Sequence, residues 1–169
     1  MRIILLALAT MLTACGTVKP IQTVSRVDLE RFMGDWYVIA SIPTVFEKGA
    51  HNAVESYELN DKGEVLTTFR FRKGAFDGPE KVMEPKGFVS DSSNAVWGMQ
   101  FLWPFKAEYR VIYLTDDYSQ TVIGRSKRDY VWIMARQPTI PDAEYDNIIG
   151  YLAEQGYQVD EIQRIPQRW

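Results

Sequence analysis

The sequence is poor in the residues that most enzymatic and metal chemistry needs. It has one cysteine, Cys15, and one histidine, His51. A lone cysteine makes no disulfide within the chain, so the fold is held by burial alone. One Cys and one His cannot build a Cys/His metal cluster. There is no glycine-rich phosphate loop; Gly49, Gly63 and Gly74 are isolated turn glycines. No basic run occurs, and 19 Lys and Arg against 22 Asp and Glu leave a net charge of −3. That balance argues against broad nucleic-acid binding. What is present is ordinary for a folded chain: 169 residues, 46% hydrophobic and 24% charged. This suits one domain with a real core and excludes disorder.

The N-terminus reads as a targeting segment. Met1-Arg2 is a short positive region, and residues 3–12 are an apolar run too short to span a membrane in a mature role. Leu12-Thr13-Ala14-Cys15 follows, and resembles the bacterial lipobox. The resemblance implies cleavage before Cys15, a diacylglyceryl thioether on its sulfur and an acylated amine, with palmitate-type chains. Several chains make a stable anchor, because each buried CH₂ contributes about 0.8 kcal/mol and one chain is marginal. Gly16, not Asp, follows the cysteine. By the sorting rule of such lipoproteins this implies the outer membrane. An acylated Cys15 also excludes a Cys–His catalytic pair.

Residues 17–26 mix small, polar and β-branched residues and read as a tether. Asp28-Leu29-Glu30-Arg31-Phe32-Met33 predicts one helical turn with Asp28 as its cap. Gly34 then turns the chain into Trp36-Tyr37-Val38-Ile39-Ala40, a run of β-formers. Strands are predicted near 36–42, 52–59, 64–72, 81–90, 95–102, 106–114, 120–124 and 130–136, separated by turn signals such as Asp77-Gly78. Eight strands share roughly a hundred residues, which fits strands of about 8–10 residues joined by turns of about 2–5. After Pro138 the period changes: Tyr145, Ile148, Ile149 and Leu152 recur at helical spacing. Pro141 suits the first helical position and Gly156 the stop. Residues 159–165 read as a short closing strand.

Gly34-x-Trp36, with Arg136 ending the last strand, resembles the lipocalin family, in particular its bacterial outer-membrane and apolipoprotein D branch. An Arg can stack on a Trp face, and in the family this pair seals the barrel floor. The Phe46-Glu47-Lys48-Gly49 stretch resembles the bacterial branch specifically. The middle family signature departs, reading Thr115-Asp116-Asp117-Tyr118, one residue longer. The resemblance implies an all-β fold: an eight-stranded antiparallel up-and-down barrel, with a C-terminal helix packed outside and a short closing strand. It divides the chain into a signal peptide (1–14), a tether after lipidated Cys15 (15–27) and a lipocalin domain (28–169).

Alternation along each strand then assigns faces. Trp36 facing inward brings Val38 and Ala40 with it. Arg136 reaching Trp36 brings Met134, Trp132 and Tyr130 inward, and leaves Val131, Ile133 and Ala135 as an outer face for the helix. Tyr57 matches an inward family tyrosine and carries Glu55 and Ala53. Phe69 and Phe71 face in, and Arg70 and Arg72 out. Tyr109, Val111 and Tyr113 are assigned inward because Arg110 prefers water. The expected ligand-binding set is therefore Trp132, Tyr57, Tyr109, Tyr113, Phe69, Phe71, Met134, Val38 and Ala40, with Gly34, Trp36 and Arg136 closing the barrel. Trp132 is the foremost of these, because its Trp-Ile-x-x-Arg context matches the family. These aromatics either fill the barrel or line an open cup; the resemblance implies the cup.

Two further clusters have two readings each. Arg125, Lys127 and Arg128 attract an anionic lipid head group, or form a charged hairpin that keeps the protein soluble. Trp103-Pro104-Phe105 touches a membrane or a second copy of the chain as a homodimer, or folds onto the cavity. Glu55 is the one group that burial would turn into a base. The expectation is a non-enzymatic, membrane-anchored carrier without a cofactor, on the periplasmic side of the outer membrane. Its expected ligand is a fatty acid or lysophospholipid, and its role envelope maintenance. The alternatives are a lipid-processing enzyme and a ligand-free interaction module.

Overall fold

The computed structural model describes residues 21–169. The signal-peptide and Cys15 assignments lie outside the described residues, as does the start of the tether. Residues 21–27 lie against the barrel. Ile21 and Val27 are buried, and the Val24 and Val27 amides donate to the Val111 and Ser93 carbonyls at 3.0 and 2.8 Å. The spacing Ile21, Val24, Val27 supplies the apolar anchors that a free tether lacks.

Helix α1 (Leu29–Phe32) is the predicted single turn, with the Asp28 side chain accepting from the Arg31 amide. The strands are β1 (Gly34–Ile42), β2 (Ala50–Leu59), β3 (Glu64–Lys73), β4 (Glu80–Met83), β5 (Lys86–Val89), β6 (Val96–Leu102), β7 (Phe105–Leu114), β8 (Gln120–Gly124) and β9 (Val131–Ala135). All pair antiparallel with their neighbours, and β9 pairs back onto β1, so the sheet closes. β4 and β5 both pair with β3 and share one barrel position, broken at Glu84-Pro85, where the proline has no N–H to donate. Eight positions therefore surround the axis, as expected of an up-and-down barrel, with β4 paired on one side only.

Helix α2 (Asp142–Glu154) lays Ile148 and Leu152 against Val131, Ile133 and Ala135 on the outer wall. The expected closing strand is a 3₁₀ turn (Val159–Glu161) followed by β10 (Gln163–Arg164), which pairs with Ala40 and Ser41. Above Val54, β1 and β2 separate. The chain terminus fills that gap. The Asn52 amide donates to Pro166, its side chain exchanges hydrogen bonds with the Arg168 backbone, and Gln167 Nε2 donates to the Val38 and Ala53 carbonyls.

Two bulges reverse the expected facing. Val38 pairs with Met134 but Ala40 with Ile133, so Ile39 is an extra residue in β1. Val111 pairs with Ile123 but Tyr113 with Val122, so Ile112 is an extra residue in β7. An inserted residue shifts the side-chain phase by one. Ala40 and Tyr113, assigned inward from the sequence, thus face outward; Tyr113 meets Tyr151 of α2, with ring centroids 5.6 Å apart.

Candidate functional site

The floor is built first. Gly34 sits at φ +91°, a conformation that favours glycine, and a Cβ there would stand 3.4 Å from Arg136. The turn brings Trp36 beneath the Arg136 guanidinium, whose carbon lies 3.8 Å from the ring centroid. Arg136 also donates to the carbonyls of Asp35, Arg31, Phe32 and Met33 at 2.8–3.1 Å. It therefore ties off the carbonyl end of α1, which has no intrahelical acceptor role left. Trp36 Nε1 donates to the Phe32 carbonyl at 2.8 Å, holding α1 across the barrel end.

Above this floor the lower half of the barrel is solid. Phe32, Trp36, Tyr57 and Trp97 interlock with ring centroids 5.0–5.8 Å apart, and Tyr109 stacks on Trp97 at 5.1 Å. Val38 and Met134 belong to this inner core and do not border open space. Phe71 packs on Phe69 at 5.2 Å without bordering open space either.

The upper half is open. A cavity of about 590 Å³ runs from Glu55, Phe69, Met99 and Tyr109 at its base to Val45, Phe46 and Phe101 at the mouth. Of the residues expected to bind a ligand, Trp132, Tyr109 and Phe69 border it; Tyr57 lies just below, its hydroxyl donating to Glu55. The two readings of the aromatics therefore each hold for one half of the barrel. The volume falls within the roughly 300–1,000 Å³ usual for ligand sites.

Four glutamates line this largely apolar space: Glu84 is exposed, Glu108 pairs with Arg110, and Glu47 and Glu55 make no ion pair among the described residues. Glu55 shares a hydrogen-bonded chain with Tyr57 and Tyr109. Burial pushes its carboxyl up to about 7, against the Tyr57 hydrogen bond and with a further push from Glu47. Glu47 comes from the mouth loop, is buried, and accepts from Trp132 Nε1 at 3.2 Å and the Thr44 amide at 3.1 Å. Burial raises its carboxyl too, opposed by those hydrogen bonds. Sequence reasoning placed Glu55 inward but passed over Glu47. Its only signal is an acidic residue directly after the apolar pair Val45-Phe46.

The basic cluster disperses. Arg125 borders the cavity but pairs with Asp129 at 3.2 Å, while Arg128 donates to the Gln155 carbonyl at the end of α2. The 101–105 lip does not fold onto the cavity: Leu102, Trp103 and Phe105 are 72–80% exposed, and only Phe101 borders the opening. His51 packs edge-on against Phe76 beside the mouth. Asp117 accepts from the Ser119 amide and hydroxyl, which settles the longer 115–118 turn.

The geometry agrees with comparisons to known proteins. A lipocalin-like domain model matches residues 27–167. The chain is 29% identical over 160 residues to the outer membrane lipoprotein Blc of Citrobacter freundii, covering 91% of this chain and 89% of that one. Temperature-induced lipocalin-1 of Arabidopsis thaliana is 28% identical, with 88% and 84% covered, and bovine (Bos taurus) apolipoprotein D 27%, with 85% and 77%. Among solved structures, insecticyanin from the tobacco hornworm Manduca sexta superposes with a TM-score of 0.66 at 15% identity, over 86% of this chain and 83% of that one. The sealed floor, the eight-position barrel and these matches together make this chain a member of the lipocalin family.

Proposed function

We propose that this lipocalin is a non-enzymatic carrier that holds one small single-chain lipid, of the fatty-acid or lysophospholipid kind, in the upper half of its barrel. The observation that carries this is the apolar cavity over a solid floor, with Trp132 on its wall and the mouth open. Burying a chain of roughly 14 CH₂ groups yields at most about 11 kcal/mol, and association costs about 4–15 kcal/mol. Binding is therefore reversible and micromolar to sub-micromolar.

The same proposal places the protein in the outer membrane, on its periplasmic side, anchored through Cys15 and serving envelope maintenance. The lipobox pattern and the relatives titled outer membrane lipoprotein support this. The exposed 101–105 lip is then the surface offered to the membrane or, in a homodimer, to a second copy.

Titration with a chain-brominated single-chain lipid tests the cavity, since bromine quenches an indole it touches. Saturable quenching at one lipid per protein, lost in Trp132→Phe, supports the reading. Quenching that survives Trp132→Phe unchanged overturns it.

A further inference from the structure

The cavity is polarised in an unexpected direction. Its mouth exposes apolar side chains, with Val45, Phe46 and Phe101 60–72% exposed, beside Arg125 and Glu108, which are already paired with Asp129 and with Arg110 and Ser126. Its depth is acidic and hydroxylated. A lipid entering tail first would set its methyl end against Glu55 and the Tyr57–Tyr109 pair. That contact is unfavourable, because a polar group buried against hydrocarbon loses its hydrogen bonds.

The two glutamates are also incompletely used. The Glu55 hydrogen bond from Tyr57 falls on Oε2, and the bonds Glu47 takes from the Thr44 amide and Trp132 also fall on Oε2, with the Thr44 side chain a further donor to Glu47. Neither is matched by a base among the described residues. The basic residue that borders the cavity, Arg125, is held by Asp129; of the other two glutamates in the lining, Glu108 is taken up by Arg110 and Ser126 and Glu84 is exposed to solvent. Two carboxyl groups in one cavity with raised proton affinity are each waiting for a cation or a donor. The walls between them are the aromatic faces of Trp132, Tyr109 and Phe69, which also attract a cation.

We infer that the cavity takes its ligand with the polar end inward, and that this end is a protonated amine seated between Glu47 and Glu55, with the apolar chain leading out past Phe46 and Phe101. This rests on the carrier reading and specifies its ligand class: a cationic single-chain amphiphile rather than a free fatty acid. No covalent step is involved; the ammonium donates its protons in hydrogen bonds to the two carboxylates. Glu55 faces Glu47, Tyr57 and Tyr109, none of which supplies positive charge. The ammonium then supplies the positive charge beside Glu55 and holds it ionised, Arg125 being paired with Asp129.

Calorimetric titration with dodecylamine, dodecanol and dodecanoate at pH 8 separates the possibilities, since the three share one chain. The expected order is amine, alcohol, carboxylate, with the amine at least tenfold tighter than the alcohol at one site per protein. Glu47→Gln and Glu55→Gln, made singly so that either serves if the other folds poorly, are each expected to cut the amine's advantage at least threefold and leave dodecanol within twofold. Equal binding of all three, or tightest binding of dodecanoate, overturns the inference and leaves the carrier standing. An amine advantage that survives both variants places the cation elsewhere and also overturns it. Binding of none of the three removes the carrier reading itself.

Discussion

Replacing Arg136 with alanine removes the tie between the floor tryptophan and the short helix that plugs the barrel. The guanidinium stacks 3.8 Å above Trp36 and donates to four backbone carbonyls. A stacked, partly desolvated cation contributes about 1–2 kcal/mol. Hydrogen bonds from a charged donor net roughly 1.5–3 kcal/mol each when buried, and less at this half-exposed site. The Phe32 carbonyl keeps its bond from Trp36, so fewer than four acceptors are stranded. The loss expected is about 3–4 kcal/mol. Urea unfolding followed by tryptophan emission reads it directly. With a slope near 2 kcal/mol per molar, the midpoint falls by about 1.5–2 M at unchanged slope. Arg136→Lys restores charge but neither the plane nor the fork, so it recovers less than half. A loss below about 1 kcal/mol for alanine, or a lysine variant as stable as the parent, would refute the reasoning.

Further outcomes follow from the bulges and the buried acids. Tyr113→Ala is expected to leave ligand affinity unchanged, and Ala40→Phe to cost about 1–3 kcal/mol by overpacking the outer wall; a calorimetric affinity loss in either contradicts their outward facing. Glu55 holds its proton in the native state up to about 7, above its unfolded value of 4.5, so the folded chain binds more protons between them. Stability is therefore lost as pH rises through that window and changes no further above it. Glu55→Gln removes this dependence, gaining on the parent by about 3 kcal/mol between pH 4.5 and 8 in urea melts. A constant difference across that range contradicts the buried-acid assignment.

Much of this architecture is readable in the residues, and the misreadings have a common cause. Gly34, Trp36 and Arg136 mark the floor because a turn glycine, a stacking face and a forked cation are difficult to replace there. The strand positions follow from turn chemistry, and the outer stripe Val131, Ile133, Ala135 from strict alternation. Alternation carries no mark where a residue is inserted. Ile39 and Ile112 are β-branched like the valines before them, so nothing local distinguishes a bulge from a regular strand, and alternation alone puts Ala40 and Tyr113 on the wrong face. Phe71, Val38 and Met134 have inner-core places, yet whether an inward side chain fills or borders space depends on volumes summed over several strands. Glu47 escaped for a different reason: its position depends on how a long loop folds back to Trp132, a contact 85 residues apart.

The central claim is that the space above Tyr109, enclosed by the barrel wall, is where the ligand goes. Ala107 borders it from β7, directly opposite Met99 of β6. Ala107→Trp fills the space without touching the floor. Calorimetric titration of a single-chain amphiphile is predicted to give one site per protein in the parent and none in the variant, with the two melting alike. A variant that melts like the parent and binds with the same stoichiometry and affinity would contradict the account.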